Sequence, residues 1–193
     1  MSNKKIEIPI IPWDNKSFAR ISYQLYNTEN DLDKLEYSIT DENSAEGKKT
    51  KELFALIDVG KVLFEWDLRY LFAKLIADKD ELEFFVTHVV TPEWHFQHDA
   101  GRALDDMVTE RIAEFPEYAT LIAAYTARFN ETIPGPVTGS LEIVQELAES
   151  GVPLFAITNF GAELWEGFRP TQQIFDLFQD IIVSGVEKLV KPD

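Results

Sequence analysis

Two kinds of apolar pattern alternate along this chain. LFALIDV, residues 53–59, is a continuous apolar run of strand length, as expected for a strand buried on both faces. VPLFAITN, residues 152–159, is a second such run, and DIIVS, residues 180–184, is a third strand. Between the first two the spacing becomes helical. Leu71, Phe72 and Leu75 share one face over residues 68–76, and a second helix is expected from about Asp80, with Leu82, Phe84, Phe85 and Val89. Further helical stretches cover residues 104–115 and 118–132, punctuated by Pro92 and Pro116. IPGPVTGS, residues 133–140, is rich in turn residues, and LEIVQELAE is then an amphipathic helix stopped at Gly151. The order strand, helical insertion, helix, strand, helix, strand predicts an α/β fold with a parallel sheet and right-handed crossovers.

The first 52 residues differ. IEIPIIP, residues 6–12, reads as a strand with edge prolines, and FARISYQLY, residues 18–26, as another. NTENDLDKLEYSI has the marks of a helix, with Asn27 or Thr28 as cap and Leu32, Leu35 and Ile39 at helical spacing. DENSAEGKKTKE, residues 41–52, offers no apolar anchor and reads as a linker. The expected division is a small α+β appendage (1–42), a linker (43–52), a core (53–67 and 133–193) and a helical insertion (68–132). An appendage of about 40 residues is marginal as an independent fold.

Composition narrows the function. The formal net charge of −16 argues against a nucleic-acid partner, which would call for clustered Lys and Arg. With no cysteine there is no disulfide, thiolate metal site or Cys nucleophile. The proline-broken N-terminus is a poor signal peptide, and no stretch approaches the roughly 20 apolar residues that span a bilayer. A cytoplasmic protein without a membrane partner is expected.

Ligands of open α/β sheets bind at the carboxyl ends of the strands. Asp58, the pair Thr158 and Asn159, and Lys191 all fall at or just past such ends. A carboxylate, a hydroxyl with an amide, and a cation suit an anionic substrate attacked by the aspartate. Each also has a plain reading: Asp58 a turn residue, Thr158–Asn159 a helix cap, Lys191 a solvated loop lysine. Periodicity leaves both readings open.

From about residue 53 to 193 the chain resembles the haloacid dehalogenase (HAD) superfamily, in its capped, phosphatase-like branch. IDVGKVL, ITN and the lysine of VKPD carry the resemblance, in that order, with the insertion and the PGPVTG return between the first two. It implies a Rossmann-like parallel sheet with an inserted α-helical cap. It also implies that Asp58 is the nucleophile, forming an aspartyl-phosphate, and that Asp58 and the Gly60 carbonyl ligate Mg2+. Thr158, Asn159 and Lys191 would hold the phosphoryl oxygens of a small phosphorylated substrate. Fixed donors and a metal are needed there because charge spreads over the transferring group.

The chain departs from that pattern in three places. Many relatives carry a second aspartate, acting as acid and base, where this chain has Gly60. Lys61 replaces a small or neutral residue and is expected to face solvent. The fourth motif, which adds acids to the Mg2+ site, is not found before Asp193. The core is therefore expected to be incomplete at its C-terminal side, poorly active, and open to self-association through its bare sheet edge.

Within the insertion, which also holds His88, His95 and His98 with Asp99 resemble a metal cluster, but their spacing does not match a zinc motif. Trp94 and Phe96 are expected to pack it, leaving the histidines peripheral. Trp94, His95 and Arg102 are candidates for substrate selection, and Trp66 and Asp67 for hinges. Residues 6–40, through IEIPIIPW and RISYQLYNTEND, are similar to the C-terminal end of class V, fold-type I pyridoxal-phosphate enzymes. That resemblance makes Arg20 the counterpart of a carboxylate-binding arginine, without the domain that would carry the Schiff-base lysine. The alternatives are a metal-free 2-haloacid dehalogenase, for which only Arg69 offers a substrate-binding arginine, and a non-catalytic fragment or fusion product.

Overall fold

The computed structural model describes residues 10–13, 16–21 and 54–191, with side chains from residue 54 onward. The helix and linker read from residues 27–52 lie outside it. Five strands form one sheet in spatial order β1-β2-β3-β4-β5: β1 Ile10–Trp13, β2 Lys16–Ile21, β3 Ala55–Ile57, β4 Leu154–Thr158 and β5 Asp180–Val183. β1 and β2 pair antiparallel, and the other three pairings are parallel. Ala55 sets the register, opposite Ala19 on one side and Leu154 on the other. The N-terminal strands therefore extend the sheet from β3, which hydrogen-bonds along both of its edges.

The three strands expected from the apolar runs are all present, with β4 alternating buried and half-buried residues. Between β3 and β4 the chain is helical. α1 (Arg69–Phe72) is a single turn, shorter than the spacing over 68–76 predicts. α2 (Lys79–Phe84) starts at Asp78, whose Oδ1 accepts from the Glu81 amide at 2.8 Å. It widens into a π turn over Phe85–Val89, closed by the Val90 amide on the Phe85 carbonyl at 2.9 Å. That turn buries Phe85, Val86 and Val89 together. α3 (Pro92–Asp99) was not expected. Thr91 caps it by accepting from the Trp94 amide at 3.1 Å, and Pro92 takes the first helical position, where no amide is needed. α4 (Leu104–Glu114) and α5 (Ala119–Ala127) close the insertion, followed by α6 (Ser140–Glu149) before β4 and α7 (Ala162–Phe168) after it. α8 (Ser184–Glu187) directly follows β5. Among the described residues no helix is long and apolar enough to cross a membrane.

Insertion and sheet share one apolar core. Phe64 meets Phe168 edge-on at 5.2 Å and Phe175 at 5.6 Å, while Phe72 packs on Phe85 at 4.6 Å. Each such ring, fully buried, contributes about 1.5–3 kcal/mol. The elements meet most closely behind the sheet's carboxyl edge. The Gly185 amide donates to the Phe160 carbonyl at 3.0 Å. A Cβ on Gly185 would lie 2.5 Å from the Ala162 nitrogen and 2.8 Å from the Phe160 oxygen, backbone atoms that cannot yield cheaply.

Gly185→Ala is therefore expected to lower unfolding stability by about 1–3 kcal/mol, as overpacking does. Gly135→Ala, where a Cβ meets nothing within 4 Å, should be close to neutral. Urea denaturation of both variants makes the comparison, and equal stability of the two would contradict the close approach.

Candidate functional site

The carboxyl ends of β3 and β4 open into a cavity of ≈ 320 Å3. Asp58, Gly60, Asn159 and Lys191 all line it. Lys191, 133 residues from Asp58 in sequence, points its Nζ at Asp58 Oδ2 and also donates to the Ile157 carbonyl at 3.1 Å. Its own amide donates to Asn159 Oδ1 at 2.8 Å, which leaves the Asn159 NH2 group free to face the cavity. The ion pair is half shielded, with side-chain exposures of 15% for Lys191 and 29% for Asp58.

Thr158 lies deeper, at 1% exposure. Its hydroxyl donates to the Asn159 carbonyl at 3.4 Å, and it is not among the residues lining the cavity. Lys61 is exposed but lines the mouth, its Nζ 5.7 Å from the Trp66 ring centroid. Solvent and cavity thus both reach it.

The histidines correct the sequence reading. His95 and His98 are 5% and 1% exposed, whereas Phe96, expected to pack inside, is 51% exposed. His95 sits between two rings, stacked on Trp66 at 4.7 Å and on Phe129 at 5.8 Å. Its Nδ1 is 2.5 Å from the Tyr125 hydroxyl, and its Nε2 is 3.5 Å from Asp99 Oδ2. Assigned from these partners, the neutral tautomer accepts the Tyr125 proton at Nδ1 and turns Nε2–H toward Asp99. His98 Nδ1 accordingly faces the Arg102 carbonyl at 2.8 Å. Arg102 and Arg69 are committed elsewhere, to Gln97 and Glu110 and to Glu83 and Asp67 respectively, and neither lines the cavity. Trp66 forms part of the wall, and Asp67 accepts from the Arg69 amide at 2.8 Å.

Sequence reasoning considered Asp99 only beside His95 and His98 as a seeming metal cluster and missed its place as the last residue of α3 and a wall residue of the cavity, at 2% exposure. Thr91-Pro92-Glu93, an N-cap followed by a first-turn proline and acid, was the signal available for its helix. Burial lifts the Asp99 carboxyl from the ordinary 3.8 to about 7, partly offset by the Gly161 amide. Burial moves His95 the other way, from 6.5 to about 3, with His98 adding to the effect. Among the described residues no group of three or more His, Cys, Asp or Glu is placed to hold a metal ion.

No family model and no curated protein matches the chain significantly. Solved structures do. A HAD family enzyme of Bacteroides thetaiotaomicron, in its magnesium complex, superposes with a TM-score of 0.53 at 16% identity, over 73% of this chain and 72% of that one. A second crystal structure of that enzyme gives 0.54 at 21% over the same shares. An aspartate-to-alanine mutant of it, in complex with magnesium and inorganic phosphate, gives 0.51 at 19% over 72% and 71%. At these identities the likeness is one of fold, and it is the α/β fold expected from the sequence.

His95 and Asp99 oppose each other in the pH dependence of stability. The raised acid stabilises fully below its unfolded pKa, and that contribution is lost as pH rises from about 4 to 7. The depressed histidine stabilises above 6.5, and that contribution is lost as pH falls toward 3. In His95→Gln only the acid remains, so stability should fall with rising pH between 5 and 6.5, by up to about 1.4 kcal/mol per pH unit. Thermal melts across that range test it. A His95→Gln profile no steeper than that of the unsubstituted chain counts against the assignment.

Proposed function

We propose that the chain is a HAD-type hydrolase that removes the phosphoryl group from a small phosphate monoester through an aspartyl-phosphate on Asp58. The observation that carries this is the contact of Lys191 Nζ with Asp58 Oδ2 at the floor of the cavity. A lysine beside a strand-end carboxylate does two things for such a reaction. It orients Asp58 as a nucleophile, and it is at hand to neutralise the charge of an arriving phosphoryl group. Asn159 adds a neutral donor from the same side, anchored through its Oδ1 to the Lys191 backbone. Thr158 supports this loop from beneath, where its hydroxyl meets the Asn159 carbonyl.

The chemistry runs in two displacements. An Asp58 carboxylate oxygen attacks phosphorus in line, the ester P–O bond breaks, and the alcohol leaves. Water then attacks the acyl phosphate, breaks the P–O bond to Asp58 and releases inorganic phosphate. The residues 68–132 act as a cap in this reading, closing the cavity with Trp66, His95 and Phe96 and excluding bulk water. A cavity of this size takes one small ligand, and Phe129, Ile133, Phe160 and Phe168 give it an apolar wall.

Mg2+ accompanies inorganic phosphate in the Bacteroides enzyme's mutant complex. The donors here fit such an ion chemically. Asp58 and Gly60 line the cavity, and their carboxylate and main-chain carbonyl are hard oxygen ligands. Mg2+ accepts a small protein share because water and phosphoryl oxygens complete its shell, and it would supply charge neutralisation at the transferring group. The dehalogenase alternative loses support, since Arg69 is paired with Glu83 and does not line the cavity.

Turnover of an aryl phosphate by the full chain, with and without Mg2+, tests the proposal. Metal-dependent phosphate release should fall at least about 1,000-fold in Asp58→Asn. Unchanged turnover in that variant, or halide release from a 2-haloacid in its place, would overturn it.

A further inference from the structure

The aspartyl-phosphate chemistry moves a proton twice, giving one to the departing alcohol and taking one from the attacking water. Gly60 supplies no side chain to carry it. Asp99 lines the same cavity as Asp58 but belongs to α3 and not to the sheet. Its Oδ1 is buried and has no hydrogen-bond partner among the described residues. Leaving a carboxyl oxygen in that state is costly, and the fixed geometry around it calls for a use that the resting structure does not show.

That geometry is fixed from three directions. After β3, Trp66 stacks on His95 one helical turn before Asp99. After β4, Gly161 presses against His98 so closely that a Cβ there would lie 1.8 Å from the imidazole. After β5, the Ser184 hydroxyl donates to the Asp99 carbonyl at 2.6 Å and accepts from the Phe160 amide at 3.0 Å. The loops that carry the sheet's polar groups therefore also hold Asp99 in place. α3 cannot drift from them without losing all three contacts.

The groups around Asp99 keep it ready to give a proton. His95, on its own helix, is neutral because it is buried between Trp66 and Phe129. Behind His95, Tyr125 is also held neutral, its ionisation opposed by burial and by Asp99. From α7, Glu163 lies 3.4 Å from His98 Nε2 and brings negative charge to the same side. The Gly161 amide favours the carboxylate only in part, and the acid remains protonated to near neutrality.

We propose that Asp99 is the catalytic acid and base of this site, standing in for the side chain that Gly60 lacks. The inference rests on the aspartyl-phosphate reading above. As Asp58 attacks and the ester P–O bond breaks, the Asp99 O–H passes its proton to the departing oxygen, giving alcohol and the Asp99 carboxylate. That carboxylate then takes a proton from the water that attacks the acyl phosphate. Phosphate leaves, Asp58 is freed as a carboxylate, and Asp99 is again an acid.

The test compares the full chain with Asp99→Asn on two esters, p-nitrophenyl phosphate, whose leaving group needs no proton, and a simple alkyl phosphate, whose alkoxide does. In the variant, the first equivalent of nitrophenolate should appear within about fivefold of the unsubstituted rate, while the alkyl ester is cleaved roughly 100-fold more slowly from its first turnover. Steady-state turnover of the aryl ester should then stall, because the water step lacks its base. The nitrophenolate burst also shows that the variant is folded. Equal slowing of both esters in the first turnover, or no slowing of either, overturns the role of Asp99 alone. If the unsubstituted chain cleaves neither ester, or cleaves both undiminished as Asp58→Asn, the reading beneath it falls as well.

Discussion

The pairing of Lys191 with Asp58 is the interaction on which the rest of the site depends. Lys191 Nζ bridges a carboxylate at the end of β3 and a carbonyl within β4, while its amide is held by Asn159 just past β4. One residue thus ties the ends of two strands to the segment that follows α8. It also solves an electrostatic problem. A carboxylate at the floor of a half-buried cavity would suffer desolvation alone, and a lysine there would suffer the same. Together they form an internal counter-ion pair.

Above that floor the helical insertion supplies what the sheet cannot. α3 closes the cavity with polar residues that are almost wholly buried, and burial drives His95 and Asp99 toward their neutral forms. The two stand here as a neutral base and a neutral acid 3.5 Å apart. The aromatic sandwich around His95 sets this arrangement, since stacked rings exclude the water that would otherwise charge it.

Much of the fold could be read from the sequence because buried strands write themselves as uninterrupted apolar runs. Asp58, Asn159 and Lys191 were legible as polar residues at the ends of such runs, and they meet in space because parallel strands bring their carboxyl ends to one edge. Thr158 was legible as polar but not as buried: it takes the last inward position in the alternation of β4, which the uninterrupted apolar run before it does not display. α3 escaped because its inward face is made of Trp94, His95, His98 and Asp99, three of them residues that hydropathy counts as polar. A helix buried through polar side chains has no apolar stripe to find. Its existence could still be inferred from Thr91 and Pro92 at its start.

The close approach of Gly161 to His98 has a consequence for traffic through the molecule. It leaves no clearance between α3 and the loop after β4, and neither residue lines the cavity, so the seam beside the cavity is closed. The exposed lining residues are Gly60, Lys61, Glu65 and Phe96. A solute reaching the floor must pass this rim, meeting first a lysine and a glutamate on the core side and an aromatic ring on the other. Such a rim places charge of both signs and an aromatic ring at the outermost part of the cavity.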